Sequence, residues 1–179
     1  IIGLGYVGLT LSIFFASKKF KVLGVEKNRN VLQNLSKCKS HFYEPNLENL
    51  LKKTIDQGYF EFSNKIPVKK NKSRIYVIAV GTPIDKKGNV RNEMIKSVAK
   101  QLSNVLENDD LVMLRSTVTV GTSKNIIKPI LDKANKKYYF AFCPERTMEG
   151  KAIDELSSLP QIVGGIDQES QQIASEFFL

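Results

Sequence analysis

Gly3-Leu4-Gly5-Tyr6-Val7-Gly8 sets three glycines in a G-x-G-x-x-G spacing, and Leu9-Thr10-Leu11-Ser12-Ile13-Phe14-Phe15-Ala16 follows at once. In that spacing the first glycine makes a tight turn out of a strand. The second lets the backbone approach a pyrophosphate, and the third lets helix and strand pack closely. The apolar stretch behind Gly8 fits a helix buried on a sheet face. Lys21-Val22-Leu23-Gly24-Val25 reads as the next strand and ends at Glu26, eighteen residues after Gly8. At about that distance a carboxylate bonds a ribose 2′-hydroxyl; the plainer alternative for Glu26 is a helix N-terminal acid facing solvent. Strand, turn, helix, strand and acid in series predict a dinucleotide-binding α/β fold. The feeding strand is cut down to Ile1-Ile2 and no initiator Met precedes it, so the chain reads as a piece of a longer protein.

The composition allows one domain with a real core: 179 residues, 42% of them hydrophobic. No run of 18 apolar residues occurs, so no membrane span is expected. A strand of this kind normally stands at the very start of such enzymes, so no leader peptide is expected upstream. Cys38 and Cys143 have no metal-ligand spacing, and with a single histidine there is no zinc set, so no metal is expected. A disulfide between them stays open, although a nucleotide-dependent enzyme is usually cytoplasmic, where thiols are reduced. The net charge of +9 raises nucleic acid as a partner. The lysines, however, are spread along the chain in pairs (Lys18-Lys19, Lys52-Lys53, Lys69-Lys70, Lys86-Lys87, Lys136-Lys137) without aromatic or glycine-rich interleaving. A lysine-rich solvated surface is the reading adopted, some of its charge attracting an anionic nucleotide.

Period and punctuation alternate β with α throughout. Helices are expected at Asn28–Leu35 with Asn28 as N-cap, at Leu47–Ile55 with Asn46 as cap, at Glu93–Leu106, from Gly121-Thr122-Ser123 to about Ala134, and from Gln168 to the chain end. Strands are expected at Phe60–Phe62, Arg74–Val80, Leu111–Leu114, Tyr138–Phe142 and Gln161–Gly164. Lys69–Ser73 reads as a polar connector and Asp85–Asn89 as a turn. This order implies a Rossmann-type, doubly wound parallel sheet, whose ligands bind outside the carboxyl ends of the strands. Those ends carry Gly3 to Gly8, Glu26, Thr82-Pro83, Ser116-Thr117 and Pro144-Glu145-Arg146.

Four motifs occur in order: Gly3-Leu4-Gly5-Tyr6-Val7-Gly8-Leu9, Gly81-Thr82-Pro83, Arg115-Ser116-Thr117-Val118-Thr119-Val120-Gly121 and Cys143-Pro144-Glu145-Arg146-Thr147-Met148-Glu149-Gly150. Together they resemble the N-terminal domain of nucleotide-sugar 6-dehydrogenases, the family of UDP-glucose, GDP-mannose and UDP-N-acetylmannosamine dehydrogenases. Pro-Glu-Arg, in place of the Pro-Glu-Phe more common in UDP-glucose enzymes, and Glu44-Pro45-Asn46-Leu47 look more like the UDP-N-acetylmannosamine branch. The resemblance implies oxidation of the sugar C6 alcohol to a carboxylate with two NAD⁺, through a cysteine-bound thiohemiacetal and thioester, for polysaccharide precursors. It implies a UDP-sugar substrate, a homodimer built through a central helix, and a second, nucleotide-sugar domain. The helix, that domain and the family's cysteine and lysine would all lie beyond this stretch, which alone would then be inactive.

Matched residue by residue, the resemblance puts Gly3, Gly5 and Gly8 with the Tyr6 and Val7 amides at the pyrophosphate. Glu26, where the family more often has Asp, would hold the adenosine ribose. Thr82 and Thr117 would lie near the nicotinamide, Thr117 also holding a water. Glu145 would be the acid/base carboxylate, while Arg146, Thr147 and Glu149 would contact the nucleotide sugar. Each has a plainer alternative: Thr82 a strand-ending turn, Thr117 a cap, Glu145 and Arg146 an ion pair with each other or with surface charges, Glu149 a helix-opening acid. His41 reads as packing locally in its loop, and neither cysteine suits the nucleophile. Two other functions stay open, a two-domain NAD-dependent hydroxy-acid or hydroxyacyl dehydrogenase and a non-catalytic NAD-binding module.

Overall fold

The computed structural model describes residues 1–68 and 73–179; Lys69-Lys70 and all of the expected connector except Ser73 lie outside the described residues. The first elements are α1 (Tyr6–Ser17), β1 (Val22–Val25), α2 (Arg29–Ser36), α3 (Leu47–Asp56), β2 (Phe60–Ser63), β3 (Ile75–Ile78), α4 (Glu93–Ser103) and β4 (Leu111–Leu114). There follow α5 (Lys128–Leu131), β5 (Tyr139–Phe142), α6 (Ala152–Ser158), β6 (Gly164–Gly165) and α7 (Gln168–Glu176). They fall into two compact units, Ile1–Lys65 with Arg146–Pro160, and Ile66–Glu145 with Gln161–Leu179.

In the first unit β1 and β2 pair in parallel from Val22↔Phe60 to Val25↔Ser63. Residues 1–3 also run parallel to β1: Gly3 N donates to Val25 O and Val25 N to Ile1 O, both at 2.8 Å. Helix α1 is apolar on nearly every side, as a core helix must be, and its Leu9, Leu11, Ile13, Phe15 and Ala16 are buried. The hydroxyls of Thr10 and Ser12 donate back to Tyr6 O and Gly8 O, so their burial leaves no polar hydrogen unpaired. Leu4, Leu9, Ile13, Val31, Leu35, Leu47, Leu51 and Phe60 close one core.

In the second unit β3, β4 and β5 pair in parallel, and β4 is buried at every residue. Such a strand is covered on both faces, which matches its unbroken apolar sequence. Helix α4 buries Ile95, Val98, Ala99 and Leu102 along one face. The Asp85–Asn89 turn is held by the Asp85 carboxylate, which accepts from Lys87 N and Asn89 N. Those bonds lower the Asp85 pKa.

Several expectations change. The last strand is Gly164–Gly165, not Gln161–Gly164, and it pairs antiparallel to β5. A Cβ on Gly165 would stand 2.3 Å from Gln171 N and 2.5 Å from Asp167 O, so only glycine lets the chain pass there. The helix read from Gly121 begins as a wide π-turn at Ser123–Ile127 and ends as a tight turn at Asp132–Ala134. Pro129, lacking an N–H, interrupts the regular ladder at the switch. Asn28 caps α2 by accepting from Asn30 N, whereas Asn46 stands before α3 in the left-handed region (φ 59) and its side chain makes no cap. Helix α4 ends at Ser103, three residues early, and α6 adds a short helix that the sequence suggests only through the alternative role of Glu149.

Phe60, 1% exposed in the first core, sets a test of the packing. Phe60→Ala should cost about 3–5 kcal/mol, read as a lower urea midpoint than wild type; a loss under about 1 kcal/mol would show that this core collapses around the gap.

Candidate functional site

The glycine turn meets Glu26 through its backbone. Leu4 N donates to Glu26 Oε2 at 2.9 Å and Asn28 N to Glu26 Oε1 at 2.9 Å. The carboxylate is therefore fixed beside the turn by donors on both sides of it, and is not simply a solvent-facing helix acid. Helix α1 opens with Gly5 at its N-cap, with no capping side chain and no acid in its first turn. Its N-terminal amides and dipole thus suit an anion. A Cβ built on Gly5 would meet nothing within 4 Å, so the turn has open space where a pyrophosphate would approach. These residues fit a dinucleotide.

In the second unit the strand ends bring the two threonines together. The Thr82 hydroxyl donates to Thr117 O at 2.7 Å, and the Ser116 hydroxyl to Val80 O at 2.7 Å, tying the ends of β3 and β4. Next to them Arg115, 2% exposed, holds Glu145: its Nε lies 3.0 Å and its Nη2 2.9 Å from Glu145 Oε2. The rest of the guanidinium binds Gln161 Oε1 (3.1 Å from Nη1 and Nη2) and Cys143 O, over the Phe178 ring. Buried Arg115 is thus a partner of Glu145. Arg115 is the residue that sequence reading missed. Its only signal in the sequence is a charge directly after the buried strand β4.

The segment after Glu145 belongs to the first unit. Arg146 Nη1 donates to Pro160 O at 2.9 Å, and Thr147 is half-buried. Glu149 is exposed in a turn before α6, whose first-turn acids are Asp154 and Glu155, so Glu149 does not open that helix. Glu44, 5% exposed, accepts from the Tyr6 hydroxyl, from Gly150 N (2.8 Å) and from Ala152 N (2.7 Å). His41 stacks edge-on to Phe42 at 4.9 Å, and burial pushes its pKa down, which agrees with local packing. Both cysteines are free thiols. Among the described residues no group of three His, Cys, Asp or Glu is gathered for a metal ion, and no helix is long and apolar enough to cross a membrane.

Residues 1–179 match the NAD binding domain of the UDP-glucose/GDP-mannose dehydrogenase family. The UDP-N-acetyl-D-mannosamine dehydrogenase of Campylobacter jejuni is 32% identical over 190 residues, covering 99% of this chain and 46% of that protein. Its namesake from Methanocaldococcus jannaschii is 30% identical over 181 residues, covering 99% and 41%. The chain spans less than half the length of these relatives. Among solved structures, the UDP-N-acetyl-mannosamine dehydrogenase of Staphylococcus aureus has a TM-score of 0.91 at 24% identity, covering 99% of this chain and 43% of that one. A ternary complex of GDP-mannose dehydrogenase from Pseudomonas aeruginosa has a TM-score of 0.89 at 25% identity, with the same coverage. The fold is the Rossmann-type arrangement that the sequence implies.

Cys143 is fully buried and burial pushes its thiol up to about 11. At pH 8 only about one molecule in a thousand carries the reactive thiolate there. Iodoacetamide at that pH should therefore label Cys38, which is partly exposed, and leave Cys143 unmodified in the native protein. Peptide mass spectrometry reads the result, and rapid labelling of Cys143 would contradict it.

Proposed function

This chain belongs to the UDP-glucose/GDP-mannose dehydrogenase family as its NAD binding domain, and from that premise we propose that the whole protein oxidises a nucleotide sugar at C6 from alcohol to carboxylate. NAD, when bound, supplies the hydride acceptor. A UDP-N-acetylhexosamine is the substrate best supported, since the relatives from C. jejuni and M. jannaschii carry that specificity in their names. The product would feed polysaccharide synthesis in the cytoplasm.

The observation that carries this reading is Glu145. It stands just past the end of β5, and a buried guanidinium aims its carboxylate. That placement suits an acid/base group that must hold one orientation while a proton moves. Thr82 and Thr117 line the neighbouring strand ends and take the nicotinamide side, with the Thr117 hydroxyl holding a water. The glycine turn, through the Tyr6 and Val7 amides, takes the pyrophosphate, and Glu26 takes the adenosine ribose. Arg146, Thr147 and Glu149 take the nucleotide sugar. Residues 1–179 form one cofactor domain; a central helix, a second domain with the cysteine and lysine, and a homodimer complete the proposal.

The test assays the full-length protein with NAD⁺ and a panel of UDP- and GDP-sugars. Steady NADH formation with a UDP-N-acetylhexosamine supports the reading, and none with any sugar refutes it. Glu145→Gln should lower kcat by about 10² to 10⁴ with NAD⁺ affinity nearly unchanged; a near-normal kcat would leave Glu145 only its ion pair.

Cofactor choice gives a separate expectation. The Glu26 carboxylate accepts ribose hydroxyls but repels a 2′-phosphate, although Lys27 and Arg29 stand beside it. Calorimetry should show tighter binding of NAD⁺ than of NADP⁺, and equal affinities would remove Glu26 from the ribose.

A further inference from the structure

Glu44 lies in the loop between α2 and α3, far in sequence from every partner its carboxylate takes. Oε2 accepts from the Tyr6 hydroxyl and from Gly150 N at 2.8 Å, and Oε1 accepts from Ala152 N at 2.7 Å. The Tyr6 oxygen in turn lies 3.1 Å from Gly150 N and 3.2 Å from Met148 O. Helix α6 has Lys151 at its N-cap with no capping side chain of its own, so Glu44 supplies the acceptors that its first turn lacks. Apolar contacts continue the attachment: Ala152 and Leu156 are buried, and Ile153 packs on the first core. Upstream of the clasp Arg146, Met148 and Glu149 are exposed, Arg146 Nη1 donates to Pro160 O at 2.9 Å, and Met148 N donates to Glu155 Oε2 at 2.7 Å. Burial and the hydrogen bond to Glu44 raise the Tyr6 pKa above its ordinary value, so the hydroxyl stays a donor even in alkaline solution.

We propose that Glu44 is a positioning residue for nucleotide-sugar binding: with the Tyr6 hydroxyl it anchors Gly150–Ala152 to the residue that opens the glycine turn's helix, so that Arg146, Thr147 and Glu149 are presented in one geometry. The proposal rests on the reading that those three residues contact the sugar nucleotide. Glu44 carries none of the cofactor or sugar contacts proposed above, so its removal loosens the segment without deleting one of them. Glu44→Gln keeps the shape of the side chain but turns one acceptor oxygen into an NH₂ that faces a backbone N–H. The loss therefore falls on substrate binding, while Glu26 and the turn amides keep their own bonds.

The experiment uses full-length protein, UDP-N-acetyl-D-mannosamine as the probe for KM and kcat, and calorimetry for NAD⁺. Glu44→Gln should raise the sugar KM about tenfold, lower kcat less than threefold, and leave the NAD⁺ Kd within about twofold. Tyr6→Phe should raise the KM about threefold alone and add nothing on the Glu44→Gln background, the non-additivity expected of two groups in one clasp. A Glu44→Gln KM within twofold of wild type overturns the proposal. So does a loss of sugar and NAD⁺ binding together in step with the folded fraction. If Glu44→Gln does not fold, an unchanged KM in Tyr6→Phe overturns it. Arg146→Ala separates the two readings: a raised KM there with none in the clasp variants defeats the clasp alone, and no effect in either defeats the substrate-contact reading as well.

Discussion

A backbone N–H that leaves water must find an acceptor, and in this protein three carboxylates serve loop N–H groups, each with at least one partner far away in sequence. Glu26 serves Leu4 and Asn28, Glu44 serves Gly150 and Ala152, and Asp110, wholly buried, serves Arg74 and Glu107. Each acid holds residues at or beside the end of a strand or helix. Two of the three hold residues at the glycine turn or in the segment after Glu145. Charged acceptors thus fix loop geometry alongside turn chemistry, and charge-assisted bonds of this kind are about twice as strong as neutral ones.

Arg115 inverts the arrangement, a buried donor serving Glu145, Gln161 and Cys143 O. A buried ion pair adds little net stability over a well-packed apolar pair. What it supplies is direction: both close contacts fall on Glu145 Oε2, so the position of that oxygen is fixed. The Thr82 bond to Thr117 O does the same for two strand ends whose pairing has already stopped.

Features that depend on neighbours in sequence were legible, and those that depend on neighbours in space were not. The glycine spacing, the apolar α1 and the unbroken β4 announced themselves because their signal lies within a dozen residues. Asn28 could be read as a cap because its partner is two residues away. Helix α6 was hidden: seven residues give too few periods, and the acceptor for its first turn sits more than a hundred residues earlier. The shift of β6 to Gly164–Gly165 follows from how closely the chain passes α7, which no local pattern records. The burial of Arg115 has no local signal, because arginine is rarely buried without a partner and its partners, Glu145 and Gln161, lie far along the chain.

The two units interrupt one another along the chain, since Arg146–Pro160 returns to the first and Gln161–Leu179 to the second. During synthesis the first 65 residues leave the ribosome long before the helix that completes their core and the amides that Glu44 accepts. The second unit waits in turn for Gln161 and for α7. Neither can close its contacts until nearly the whole stretch has emerged, and closure then depends on long loops, which are slow to form. A nascent chain halted between residues 65 and 145 would expose the uncovered side of α1, a state that chaperones, not native packing, must protect.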